Sequence, residues 1–197
     1  MLLAVECSTA VGSVAVLDGR ECVRYREFPS RMAGGTDAGA VIVAVLAEMG
    51  GGDAITQCAV GIGPGSFSGI RSALGFLQGF CAPRKIPAIG IPCAAACARH
   101  LAQDGIAGAW RIVGDARRNH YWSAAYRWDG ARLHEGASLR LIPYGDLATV
   151  DAVHSPEPGR IPSSLPVTPT ARDIALLALE SPSLHLPPLP LYLHPAV

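Results

Sequence analysis

An apolar run at residues 58–62 leads into Gly63-Pro64-Gly65-Ser66-Phe67-Ser68-Gly69-Ile70-Arg71, and a helical pattern follows over residues 68–82 until Pro83 ends it. Strand, glycine-rich turn and helix make one unit of an α/β layer, because the turn must lay the helix back on the sheet within a few residues. Two readings of that turn stay open. Its glycines can let backbone N–H groups converge on an anion at the positive end of a helix, or they can serve a structural turn of fixed shape. The standard phosphate templates do not fit. The stretch has no Gly-Lys-Ser/Thr ending, its third glycine falls one residue late for a dinucleotide fingerprint, and it is not a GxSxG elbow.

Around this unit the chain spells further α/β elements. Residues 1–5 and 13–17 predict a hairpin, continued by a third strand over 22–28. Thr36 or Asp37 can cap a helix that runs to Met49, where Gly50 to Gly52 stop it. A strand over 86–91 and a helix over 94–102 complete a first lobe, residues 1–104. Residues 105–197 repeat the theme in reduced form as a second lobe. Strands are predicted over 110–113, 121–128 and 137–142, then a loop with five prolines over 155–169, a helix over 171–179 and a Pro-rich tail. Half of the 197 residues are hydrophobic, enough for one good core or two small ones without staples.

Two helices of the first lobe have unusual faces. The first is apolar nearly all round, with Val41, Ile42, Val43, Val45 and Leu46, and its own sheet can cover one side only. The expectation is a partner protein on the other side, reached through Val41 and Val45. The helix after the glycine turn carries Ser68, Ser72, Gly75 and Gly79 on one stripe. Each interior glycine costs about 1 kcal/mol relative to alanine. Close approach of another backbone would offset that, either from a partner docking at Ser72, Gly75 and Gly79 or from the protein's own first helix.

Several chemistries lack their signatures. Sixteen basic residues balance sixteen acidic ones, so no net field gathers RNA, and a partner would have to grip any nucleic acid. The six cysteines show neither the CxxC pairs of a zinc site nor the density of a secreted scaffold, which predicts buried free thiols. The six histidines form no HExxH or HxxxH pair for a metal. Ser66, His120 and Asp115 could supply a hydrolytic triad by composition alone, with no context that aligns them. Trp122, Tyr126 and Trp128 alternate along one strand, as residues packing one face do. The apolar start lacks a basic flank and carries Glu6, and no apolar run approaches the roughly 20 residues of a membrane span. A cytoplasmic protein without membrane contact is expected.

The glycine turn also resembles the GPGSFTGLR signature of the TsaB/YeaZ family. Leu2-Leu3-Ala4-Val5-Glu6-Cys7-Ser8-Thr9 is similar to that family's ILAIDTST opening, Gly114-Asp115-Ala116-Arg117-Arg118 with Tyr121 to its DARRGEVY, and Leu189-Pro190-Leu191-Tyr192-Leu193 to its terminal P-x-YLR. The motif residues so matched are Ser8, Thr9, Gly63, Pro64, Gly65, Ser66, Gly69, Arg71, Asp115 and Arg117. The resemblance implies an α/β fold of the actin-like ATPase (ribonuclease H-like) kind with two related lobes. It implies a scaffold with no catalytic residues, metal or cofactor of its own, which pairs with the catalytic TsaD subunit and the TsaE ATPase in threonylcarbamoylation of transfer RNA. Contact with the RNA would be indirect, and the isolated chain would form a homodimer through the same two helices. An autonomous ATP-using enzyme such as a small kinase, and a peptidase, are the competing classes.

The sequence departs from the pattern in four places. Glu6 replaces aspartate, which argues against a metal-phosphate geometry, and Gly35-Thr36-Asp37 replaces a His-Ser-Glu helix start. The second half is short around residues 145–170, and His194 replaces arginine.

Overall fold

Every residue of β1 (Leu2–Glu6) is buried, because apolar side chains leave both faces of the strand. Leu3 and Val5 face one way and Leu2 and Ala4 the other, and the sheet built around β1 inherits a core on each side. The computed structural model describes residues 1–30, 38–103, 107–147 and 153–193. The expected cap at Thr36 or Asp37, the lobe boundary between 104 and 105, and His194 lie outside the described residues.

The first sheet comprises β1, β2 (Val11–Asp18), β3 (Glu21–Pro29), β4 (Gln57–Gly61) and β5 (Ala88–Ile91) in the order β3-β2-β1-β4-β5. The first three strands run antiparallel and β1, β4 and β5 parallel. The second sheet comprises β6 (Gly108–Arg117), β7 (His120–Trp128), β8 (Leu133–Pro143), β9 (Val153–Ser155) and β10 (Leu165–Pro166), in the order β10-β9-β6-β7-β8. Matched by position, the two sheets have one topology, again with three antiparallel strands followed by two parallel ones. The second copy is the reduced one, as expected. Where the first has the helices α1 (Ala38–Ala47) and α2 (Phe67–Arg84), the second has single 3-10 turns at Tyr144–Asp146 and Pro158–Arg160. β10 falls inside the stretch whose prolines predict loop, and β9 ends where that stretch begins. Strands of three and two residues carry no periodic signal, and Pro166 is tolerated at a sheet edge.

α1 and α2 cover one face of the first sheet, burying Val41, Ile42, Val45, Leu74 and Leu77 against Leu3, Val5, Val14, Val16 and Val60. The other face meets α4 (Ala171–Glu180), which lies on β1, β2 and β4, while α3 (Cys93–Leu101) lies on β6 and β7. This corrects the allotment of the last helix to the second lobe. Each helix packs on the sheet of the other half, and the pair forms a shared layer between the sheets. Small side chains make that layer possible: Ala4, Ala15 and Ala59 on the sheet meet Ala94 to Ala98 and Ala171, Ala175 and Ala178 on the helices. Trp122, Tyr126 and Trp128 fill the same core from β7, as their alternation predicts. Arg99 on α3 pairs with Glu180 on α4 at 2.9 Å and stacks over the Trp128 ring, with Arg20 also reaching Glu180. The buried Arg99–Glu180 pair ties the halves together, and Arg20 reaches it from the surface. Among the described residues no helix is long and apolar enough to cross a membrane.

Candidate functional site

Four separate stretches line one cleft between the sheets: the turn between β4 and α2 with the start of that helix, the β6–β7 hairpin, the segment at Glu157, and the tail at Pro190–Leu193. The cleft holds a cavity of about 340 Å³. Its apolar wall is Pro64, Phe67, Ile70, Trp122 and Leu191, and Asp115, Arg117 and Glu157 stand on the polar side.

The glycine turn is shaped by contact with the β1–β2 corner. Ser66 donates its backbone N–H to the Ser8 carbonyl at 2.7 Å, and a Cβ on Gly65 would lie 2.4 Å from that same oxygen. A Cβ on Gly69 would lie 2.1 Å from the Cys7 carbonyl oxygen. Only residues without side chains let the start of α2 come this near β1. Ser66 is the N-cap of α2, its hydroxyl accepting from the Gly69 N–H at 3.4 Å. Gly63 donates to the Cys93 sulfur at 3.1 Å and accepts from the Cys93 N–H at 2.8 Å. The Gly63–Pro64 peptide is cis. The N–H groups of Gly63, Ser66 and Gly69 are therefore spent inside the protein, which favours the structural turn over the anion cradle. Thr9 closes the corner by donating to the Val11 carbonyl at 2.8 Å.

Glu6 stands at the end of β1, fully buried. It accepts from the Ser8 N–H and, at 3.0 Å, from the Cys93 thiol. Its space exists because residue 61 is glycine: a Cβ there would sit 1.8 Å from Glu6 Oε2. Burial raises the Glu6 carboxyl above the usual carboxylate range, against the opposing effect of its hydrogen bonds. Burial, with Glu6 beside it, pushes the Cys93 thiol well up. This carboxyl is a packed internal group that cannot present oxygens to a metal in the cleft. Among the described residues no three His, Cys, Asp or Glu side chains converge as a metal site requires.

Across the cleft, Arg117, Arg118 and Asn119 occupy left-handed backbone at φ 64°, 50° and 61°. Each such non-glycine residue costs roughly 1–2 kcal/mol. Asp115 holds the turn. It accepts from the Arg117 N–H at 2.8 Å, and from the Tyr144 hydroxyl and the Arg117 and Arg160 guanidinium groups at 2.9 Å each. Its partners come from three segments. His120 Nδ1 meets the Arg118 carbonyl at 2.7 Å. With the Ser66 hydroxyl engaged at Gly69 and Asp115 bonded as above, the three are not arranged as a triad. At the mouth, Arg71 donates to the Tyr192 hydroxyl at 3.0 Å and lies 4.4 Å from the centre of the Phe67 ring.

Of the motif residues, Pro64, Gly65, Asp115 and Arg117 line the cleft, Ser8, Thr9, Gly63, Ser66 and Gly69 form the packed turn and corner beside it, and Arg71 reaches Tyr192 at its mouth, while the expected partner-contacting residues divide. Ser72, Gly75 and Gly79 are exposed, and a Cβ on either glycine would meet nothing within 4 Å. Close approach of α1 is therefore not what these glycines serve. Val41 and Val45 are buried at 7% and 1% exposure, which corrects their assignment to a partner. Ala40, Val43 and Ala47 form the outward stripe of α1, with Val43 57% exposed. A helix apolar on every side gives its phase no signature, which explains the error. Cys93, Tyr144 and Arg160 have no motif that marks them in the sequence, and Gly61 opens the glycine-rich stretch without its role beside Glu6 being legible there. Gly61, where β4 ends, is the one whose position gave a hint.

A family model described as TsaD: tRNA N6-adenosine threonylcarbamoyltransferase matches residues 38–176. YeaZ from Pseudomonas aeruginosa superposes with a TM-score of 0.76 at 23% identity, over 98% of this chain and 99% of that one. A crystal structure of an uncharacterized protein with similarity to peptidase YEAZ, also from Pseudomonas aeruginosa, gives a TM-score of 0.77 at 23% identity over the same shares. No curated protein matches by sequence. The fold shared with both is the α/β architecture of two five-stranded sheets described above.

Proposed function

The chain belongs to the TsaD family, the tRNA N6-adenosine threonylcarbamoyltransferases, and from that membership we propose that it is a TsaB-type subunit of the modification complex, one that pairs with a TsaD-like catalytic chain. It contributes a docking surface and no reacting group. The transferase chemistry, the metal and the grip on transfer RNA belong to the partner, a TsaE-like ATPase joins the pair, and the isolated chain forms a homodimer in the cytoplasm.

The observation that carries the docking role is the open space over Gly75 and Gly79. Two glycines inside an 18-residue helix cost about 1 kcal/mol each, and nothing in the protein's own packing requires them. A helix from another chain, crossing closely over that stripe, would. Ala40, Val43 and Ala47 on α1 and Ser72 on α2 are likewise exposed and small or apolar. The withdrawn Glu6 and the spent N–H groups of the glycine turn support the absence of catalysis.

Gly75→Arg tests the reading by light scattering for mass and by capture of a co-expressed TsaD-like chain, with circular dichroism as the folding control. The variant is expected to fold as a monomer and to lose the partner, because an arginine would hold the helices apart and bury a charge without a mate. A folded variant that still dimerises and still captures the partner overturns the proposed surface.

A further inference from the structure

The reduction of the second lobe leaves part of a sheet face uncovered. In the first sheet α1 and α2 cover the face turned away from the shared helix layer. The matching face of the second sheet has only the segment with the two 3-10 turns, which closes over Val113, Tyr121 and Val153 with Ile161. Beyond that cluster the face carries arginines. Trp122, Ala124, Tyr126 and Trp128 of β7 point into the shared core, so Ser123, Ala125 and Arg127 point outward. Register sets Arg111 of β6 opposite Ala125 and Arg140 of β8 opposite Ser123, on the same side. Leu139 and Leu141, which flank Arg140, pack inward, as that placement requires. Arg111 donates to the Ser123 hydroxyl at 3.3 Å.

Arg127 and Arg140 are exposed and Arg111 is half-buried. Among the described residues none of the three forms an ion pair with a carboxylate. His134, opposite Arg127, holds Asp129 at 2.6 Å. Strand spacing keeps the three arginine Cα atoms within about 14 Å of one another. The balance of sixteen basic and sixteen acidic residues is a sum over the whole chain, whereas the field at a surface is local.

We propose that this face binds the phosphate backbone of a double-stranded RNA arm, an inference that rests on the chain's place in a complex acting on transfer RNA. The catalytic partner keeps the grip on the RNA, and the three arginines add a weak contact blind to sequence. Guanidinium forks match phosphate oxygens two at a time. Ala125 and Ala137 face each other in the middle of the patch, and among the described residues no large exposed apolar or aromatic side chain lies on β6, β7 or β8. A docked protein would want an apolar or aromatic anchor there, and single-stranded RNA would want rings to stack on. Phosphate contact needs neither.

The full chain is titrated into a fluorescent RNA duplex and binding is read by anisotropy at rising salt. The logarithm of the binding constant should fall against the logarithm of salt with a slope of about −3, as three neutralised phosphates give. Arg127→Gln with Arg140→Gln should weaken binding about tenfold at low salt and remove about two from the slope. Neither side chain has an ion-pair partner in the fold, so melting followed by circular dichroism should not change. Lysine at both positions should keep the slope. In the wild type, the duplex should protect Arg127 and Arg140 from phenylglyoxal, a readout that needs no variant. A duplex left unbound at low salt, a glutamine variant that binds as wild type does, unprotected arginines, or tighter binding of polyglutamate than of the duplex would each overturn the proposal. The titration uses this chain alone, and the glutamine variant, with α2 untouched, should still capture a TsaD-like chain. A wild type that binds the duplex and captures no such chain would count against the partner and not against this face.

Discussion

The Cys93 thiol donates a 3.0 Å hydrogen bond to Glu6 Oε2, joining the end of β1 to the start of α3 beneath the glycine turn. Glu6 is fully buried, and burial lifts its carboxyl above its ordinary range. The folded state therefore holds the Glu6 proton at a pH where the unfolded chain has released it. Stability from this group is fully present below the unfolded carboxyl's range and is lost as pH rises through the folded value. Glu6→Gln keeps an acceptor for the Ser8 N–H and removes the ionisation. Its urea-unfolding free energy should match or exceed wild type at pH 8 and lose that advantage towards pH 4.5. A variant destabilised equally at both values would show that the ionisation of Glu6 does not act on stability.

Two glycines and one serine of the turn should separate shape from chemistry. Gly69→Ala places a Cβ 2.1 Å from the Cys7 carbonyl oxygen and Gly65→Ala one 2.4 Å from that of Ser8. Both push backbone against backbone, and each should cost more than about 1 kcal/mol. Ser66→Ala loses a long capping bond and should cost about 0.5–1 kcal/mol. Thermal melts rank the three. A Ser66→Ala protein with unchanged melting that no longer supports threonylcarbamoylation in cells would give the hydroxyl a chemical role.

His100 on α3 meets Asp173 on α4 at 3.1 Å, and that carboxylate raises the imidazole above its ordinary range against partial desolvation. A raised imidazole contributes fully below the unfolded histidine's range and is lost as pH climbs through the folded value. The side chain is 36% exposed, so solvent screening holds the contribution to roughly 0.3–1 kcal/mol. His100→Ala should therefore cost more stability at pH 5.5 than at pH 8. An equal cost at both would leave only packing as its role.

Much of this architecture was legible because local pattern and tertiary role coincide. The alternation of Trp122, Tyr126 and Trp128 gives the buried face of β7, and the glycine turn announces a strand-to-helix unit. The hidden part is set by long-range partners. Asp115 reads as a charged turn residue, yet it is a hub for Tyr144 and Arg160, which lie 29 and 45 positions away. The exchange of α3 and α4 between sheets follows from which alanine-rich faces fit together, and no periodicity encodes that fit. β9 and β10 are held by pairing to β6 and to each other, so their sequences had only to tolerate extension.

The outer face of α2 sets helix stability against association. Alanine at positions 75 and 79 meets open space in the folded chain, so Gly75→Ala and Gly79→Ala carry no steric cost there. Each removes the conformational freedom that makes glycine a poor helix residue, and each should stabilise the chain by about 1 kcal/mol. The same methyl groups would stand in the path of a helix crossing close over the stripe. The double variant should therefore melt higher than wild type when both are diluted to monomers, and should bind a second copy or the TsaD-like chain more weakly. Urea unfolding at low concentration checks the first outcome, and sedimentation with titrated partner checks the second. Higher stability with unchanged association would move the partner surface away from these glycines. Lower stability at high dilution would mean that the stripe is covered within the monomer.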